Sequence, residues 1–231
     1  MGAPDLLSTG EIEVVGRMPY ASNATFLVRV GTGEDEVLAI YKPERGERPL
    51  WDFPAGLHRR EAAAWVVADH LGWDLVPATV VREDGPFGCG SLQRFVHARV
   101  EEHYFTMLED PDLHDQLRRV AAFDLAINNT DRKGGHLLID DEHHIWCIDN
   151  GLAFHAEWKL RTVVWDFAGE DVPPPLLDDL AALAERPLPP ELATLLDPLE
   201  REALTRRVEA LVELGRFPGD PTGRAHPWPL I

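Results

Sequence analysis

Cysteine is scarce in this chain: Cys89 and Cys147 are the two present, and neither belongs to a CxxC pair. That excludes a disulfide framework and fits a reducing compartment, and both thiols are expected as buried small hydrophobes. Long apolar runs are missing as well. No window reaches the roughly 18 consecutive apolar residues of a membrane span, and the opening MGAPDLLSTG lacks the basic-then-apolar order of an export signal. Leu6 stands where an N-myristoylation signal carries Ser or Thr, and Pro4 intervenes. A cytoplasmic protein without a stable membrane anchor is therefore expected. Positive charge is the third deficit, with 22 Lys and Arg against 40 Asp and Glu and a formal net charge of -18. Such a field repels polyanions, so no nucleic-acid partner is expected, and the same charge serves solubility. Neither GxxxxGK[ST] nor GxGxxG occurs, which removes the P-loop and Rossmann readings. HExxH is absent too, so His103, His114, His143 and His144 read as surface histidines. The tryptophans are scattered and read as core packing.

What is present is a chain of 231 residues, 45% hydrophobic, long enough for one large domain or two small lobes. Residues 11–43 read as three strands, EIEVVGRMP, FLVRV and EVLAIYKP, with Gly31 and Gly33 marking the last turn. HRREAAAWVVADHLG follows with helical spacing and Gly72 as its stop. LVPATVV and SLQRFV, parted by REDGPFGCG, complete a five-stranded antiparallel sheet with one inserted helix. Residues 101–127 and 173–214 carry helical periodicity, interrupted by a β pair, HLLID and IWCID, around the turn DDEHH. The tail from Phe217 to Ile231 is expected to lie irregularly on the surface. The predicted architecture is α+β in two lobes, a sheet-rich 1–97 and a helical 98–231, with a cleft between them.

Chemistry concentrates at strand ends and in glycine-bearing loops. Lys42 ends the strand LAIYKP on one face with Leu38 and Ile40; a lysine on the buried side of a sheet needs an anion, a carboxylate or a phosphate, and otherwise merely reaches water. Glu61, on the next helix, is placed to pair with it. In FDLAINNTDRKGGHLLID the residues Asn128, Asn129, Asp131, Arg132, Lys133 and His136 crowd one connector, and Asp149 follows in IWCIDNGLAF. Asp-Asn-Gly is also a common turn composition. Two acids at neighbouring strand ends can instead divide phosphoryl transfer, one orienting the acceptor hydroxyl and one holding the magnesium that bridges the phosphates.

The ordered set SNATFLV, AIYKP, HRREAAAW, LVPATVV, GSLQRFV, FDLAINNTDRKGGHLLI and IDNGLAF spans almost the whole chain and resembles the phosphatidylinositol 3- and 4-kinase superfamily, nearest its type II 4-kinases. The resemblance implies a protein-kinase-like bilobal fold and an ATP-dependent phosphotransferase. It implies that Ser22, Asn23 and Thr25 lie in a loop over the phosphates, that Lys42 contacts them, and that Glu61 positions Lys42. It places Phe95 and Val96 in the connector facing adenine, makes Asp131 the catalytic-loop aspartate with Arg132 beside it, and makes Asp149 the metal-binding aspartate.

Two departures stand out. His136 occupies the position where the family has a metal-binding asparagine, which implies either a site that leans from Mg2+ toward Mn2+ or holds a single ion, or a histidine that packs under the loop without touching metal. The insert that carries membrane-attached cysteines in the type II lipid kinases is missing, so the acceptor is expected to be a protein or small-molecule hydroxyl rather than a lipid; Lys133 with Arg132 could draw an anionic one. A catalytically inactive nucleotide-binding regulator and a nucleotidyltransferase remain alternatives on the same scaffold. A metal-dependent hydrolase built on Asp131, His136 and Asp149 lacks recognisable ligand spacing.

Overall fold

The structure is a computed structural model that describes residues 3–19, 23–33, 35–220 and 222–231. A short helix, α1 (Ala3–Thr9), precedes β1 (Ile12–Arg17), β2 (Phe26–Thr32) and β3 (Asp35–Pro43); helix α2 (Leu57–His70) separates these from β4 (Thr79–Gly85) and β5 (Gly88–Arg94). The strands form one antiparallel sheet in the order β1-β2-β3-β5-β4. Strands β3 and β5 approach so closely that a Cβ on Gly90 would lie 2.5 Å from the Lys42 carbonyl oxygen, which requires glycine there. Helix α1 was not foreseen from its short sequence. It persists because Leu7 is fully buried with Val28, Val30, Ala39, Tyr41 and Leu92, while Arg82 Nη1 donates to the carbonyls of Leu7 and Gly10 at 2.9 and 3.0 Å, satisfying its C-terminal end.

The second half holds a one-turn α3 (Tyr104–Met107), α4 (His114–Ile127), the hairpin β6 (Leu137–Ile139) and β7 (Ile145–Cys147), then α5 (Pro174–Glu185), a one-turn α6 (Leu192–Leu195) and α7 (Pro198–Leu214). Both long helical stretches are thus broken. Pro111 starts a 3-10 turn between α3 and α4, and Pro187, Pro189 and Pro190 intervene between α5 and α6, since proline lacks the N–H a continuing helix requires. Among the described residues no helix is long and apolar enough to cross a membrane. The architecture is α+β and bilobal, an antiparallel sheet facing a helical half across a cleft.

Buried side chains form two clusters. One belongs to the sheet and α1; the other joins α4, α5, α7 and the hairpin to Ala63, Ala64 and Val67 of α2 and to Trp73, Leu75 and Val76. Helix α2 therefore follows the sheet strands in sequence and lies against β4 and β5, while its buried alanines and Val67 join the core of the helical half. Among the tryptophans, Trp73 and Trp146 are buried as expected, whereas Trp51 and Trp228 stand almost fully exposed. Cys147 is buried, but Cys89 is only half-buried, because β5 meets the sheet edge turn there.

Helix α2 begins without a capping side chain of its own. Its N-cap, Gly56, sits at φ 88°, and the Glu47 carboxylate takes the N–H groups of Gly56, Leu57 and His58 at 3.1, 3.0 and 2.8 Å. Burial would raise the Glu47 pKa, but the His58 ring and these N–H groups hold it below the ordinary carboxylate value. A depressed folded-state pKa contributes stability above the unfolded value and loses it as pH falls through the folded value. Glu47→Gln is expected to cost about 2 kcal/mol at neutral pH. Urea unfolding checks this, with the gap between variant and wild type closing in acid.

Candidate active site

The pleat of β3 alternates Ala39 and Tyr41 into the sheet core with Ile40 and Lys42 toward the cleft, so Lys42 faces the cleft rather than the packed side of the sheet. Its ammonium touches Glu61 Oε1 from α2 and Asp149 Oδ1 at 2.9 Å from beyond β7. One cation thus spans three segments drawn from both halves. Burial alone would depress the Lys42 pKa; Asp149 and Glu61 more than reverse this and raise it, so the side chain stays charged. Glu61 is almost fully buried, and its second oxygen accepts from Asn150 N–H at 2.9 Å. Gly151 makes that approach feasible, since a Cβ there would sit 3.3 Å from Leu57 Cβ and 3.4 Å from Glu61 Oε1.

Asp149 adopts φ 56°, the left-handed region that Asp and Asn tolerate better than most residues. This turn leaves its carboxylate 54% exposed at the cleft. Lys42 lowers its pKa most, against burial, with His136 adding to the effect, so it is an anion throughout the physiological range. Asp131 lines the same cleft; its carboxylate lies 3.4 Å from Lys133 Nζ, and its backbone N–H donates to Asn129 Oδ1 at 3.0 Å. Burial raises the Asp131 pKa, with Lys133 opposing and Asp149 reinforcing, which moves the carboxylate toward general-base strength.

His136 Nε2 lies 3.3 Å from Asp149 Oδ2, and its Nδ1 accepts from Lys133 N–H at 3.4 Å. That pairing puts the ring proton of neutral imidazole on Nε2, pointing at Asp149. Burial, with Arg132, Lys133 and Lys42 against the single opposing charge of Asp149, pulls the His136 pKa down to about 4 and keeps the ring neutral. In this tautomer His136 orients Asp149 and presents no lone pair to an ion. The group that could hold a divalent cation in this arrangement is the half-exposed Asp149 carboxylate, whose oxygens suit a hard ion such as Mg2+.

Arg132 is placed differently from its expected catalytic position. Its side chain has no exposure and does not line the cleft. The guanidinium donates to Asp124 Oδ1 at 3.0 and 3.1 Å, to the Ile148 carbonyl at 2.8 Å and to Asn150 Oδ1 at 2.6 Å, while Thr162 Oγ1 donates to Asp124 Oδ2 at 3.0 Å. It ties the loop bearing Asp131 to the strand end bearing Asp149 and acts on the cleft through them. Asp124 and Asn150 were missed in the sequence; the available signal was a lone carboxylate inside the apolar helix VAAFDLAI, since a buried charge demands a partner.

The cleft has a volume of about 890 Å³ and is roofed by Asn23 and Thr25 on the approach to β2, while Ser22 lies outside the described residues. Ile40 above and Leu138 and Ile148 below offer apolar faces to a flat ring. Phe95 and Val96 line the cleft where the halves join; Phe95 N–H already donates to the Leu38 carbonyl at 2.9 Å, so what that residue can offer an adenine is its own carbonyl. The tail does not lie free on the surface throughout: Gly134 N–H donates to the Leu230 carbonyl at 2.7 Å, and Ile231 lines the cleft beside the Asp131 loop.

No protein-family model matches the chain. Among solved structures, the Helicobacter pylori proinflammatory kinase CtkA superposes with a TM-score of 0.51 at 13% identity, covering 91% of this chain and 94% of that one. Hydra Fam20, solved with sugar, gives a TM-score of 0.51 at 14% identity over 90% of this chain and 86% of that one. At such identities the likeness is one of fold, and the fold is kinase-like. Protein Rv2133c of Mycobacterium tuberculosis is 39% identical over 263 residues, covering 98% of this chain and 94% of that protein. A kinase-like cleft on a chain so similar along its whole length to that mycobacterial protein leads to one conclusion: this chain belongs to the family of Rv2133c.

Proposed function

We propose that the chain transfers the terminal phosphoryl group of ATP to a hydroxyl of a protein or small molecule. The observation that carries this reading is the convergence of Lys42, Glu61 and Asp149, with Asp131 in the same cleft. In this reading Lys42, held by Glu61, neutralises phosphate oxygens, and Asn23 and Thr25 cover them from above. A divalent ion held at Asp149 would supply charge neutralisation between the phosphates. Asp131 accepts the proton of the acceptor hydroxyl, and Lys133 beside it favours an anionic acceptor. Positioning and electrostatics supply the acceleration, as phosphoryl transfer requires. The ordered motifs from SNATFLV to IDNGLAF support a finer placement near the phosphatidylinositol 3- and 4-kinases, and the net charge of -18 argues against a lipid-surface acceptor.

A second reading, a nucleotide-binding regulator without turnover, draws on His136, whose hydrogen bond occupies an Asp149 oxygen that a divalent ion would need. Incubation with cell extract, Mg2+ or Mn2+, and ATP labelled at either the terminal or the α-phosphate separates the readings. Terminal label on an extract component, lost in Asp149→Ala, supports the kinase. Label from the α-phosphate marks a nucleotidyltransferase, and calorimetric ATP binding without either label marks the regulator.

A further inference from the structure

Behind the α2 wall of the cleft, three potential ligands from separate segments meet: Glu44 from the turn after β3, His58 from the first turn of α2, and Cys89 from β5. One ligand atom from each lies within 4.8 Å of the others. We propose that these residues bind a single zinc-class divalent ion, at a site that borders the cleft at His58 but takes none of Lys42, Asp131 or Asp149, and that is independent of the phosphotransfer reading.

Two geometric facts carry the assignment. Cys89 Sγ lies 3.6 Å from His58 Nε2. A tetrahedral zinc with bonds of about 2.3 Å to sulfur and about 2.05 Å to nitrogen places those two atoms roughly 3.6 Å apart. The sulfur and nitrogen are thus already at ligand spacing. Second, His58 is 2% exposed, and its Nδ1 lies 2.7 Å from Glu47 Oε1. A carboxylate on Nδ1 fixes the proton there and turns the Nε2 lone pair toward Cys89, the outer-shell arrangement that orients histidine ligands on zinc. Glu47 is itself held by the N–H groups that begin α2, so the imidazole is anchored to the backbone.

Binding exchanges the thiol proton, released to solvent, for a metal–thiolate bond; Glu44 supplies oxygen, and a water completes four-coordination. His58 stands one turn before Glu61, so an occupied site pins the start of α2 to the β3 and β5 ends.

Titration of the full chain with Co2+, followed by absorption, tests the site. One equivalent is expected to produce a thiolate-to-cobalt charge-transfer band that Zn2+ bleaches. Cys89→Ser removes the band and weakens zinc binding at least about tenfold, and Glu44→Gln, at an exposed position, retains the band with affinity reduced about tenfold. Asp149→Asn leaves band and affinity intact, separating this site from the cleft. A folded wild type that shows no thiolate band overturns the proposal, as do Cys89→Ser and Glu44→Gln chains that bind zinc as tightly as wild type.

Discussion

Asp149→Asn is expected to cut phosphoryl transfer about 10³-fold, roughly 4 kcal/mol of transition-state stabilisation, while leaving the chain folded. The asymmetry follows from where the carboxylate sits. It is half-exposed at the cleft, and the substitution strands no buried partner: Lys42 keeps Glu61, Glu61 keeps the Asn150 N–H, and the amide oxygen can still accept from His136 Nε2. An amide of the same shape preserves the left-handed turn at φ 56° but offers neither a full charge nor a second anionic oxygen. Single-turnover rates with labelled ATP, measured beside the unfolding midpoint in urea, check both halves of the statement. A variant with wild-type turnover would remove Asp149 from the chemistry.

Arg132→Met should do the opposite, collapsing stability before activity can be assessed. The guanidinium fills five hydrogen bonds in a region without water access, and its loss leaves the Asp124 carboxyl buried without its partner. Breaking one side of such a pair costs about 3–5 kcal/mol. Adding Asp124→Leu should restore part of the loss, because an apolar pair of similar volume no longer demands a partner. Chemical denaturation of both single variants and the double variant measures the coupling. Additive losses would mean that the two side chains do not act as a pair.

The contrast between these residues explains what sequence could reveal. Lys42, Glu61, Asp131 and Asp149 stand at strand ends or on the helix next to them, where period and order along the chain already assign a face, and the structure brings all four to one cleft. Arg132 looked equivalent to its neighbour Asp131. Its inward direction is set by Asp124, eight residues earlier, and by the Ile148 carbonyl, neither of which leaves a local trace at position 132. The sheet was legible because alternation and Gly-bearing turns are local signals. Helix α1 was not, since seven residues lack sufficient periodicity and their stability comes from distant Arg82 and the sheet core. The breaks at Pro111 and around Pro189 were readable from proline alone and were overridden by a broad apolar period.

The shared allegiance of α2 has a mechanical consequence. Its alanine-rich face is fused to the helical core and its Glu61 is latched to the Asn150 backbone, whereas the strands keep an apolar nucleus of their own. Because α2 also lies against β4 and β5, a tilt of the sheet relative to the helical core would be taken up along that contact, and the Lys42–Glu61 pair is a link that spans it.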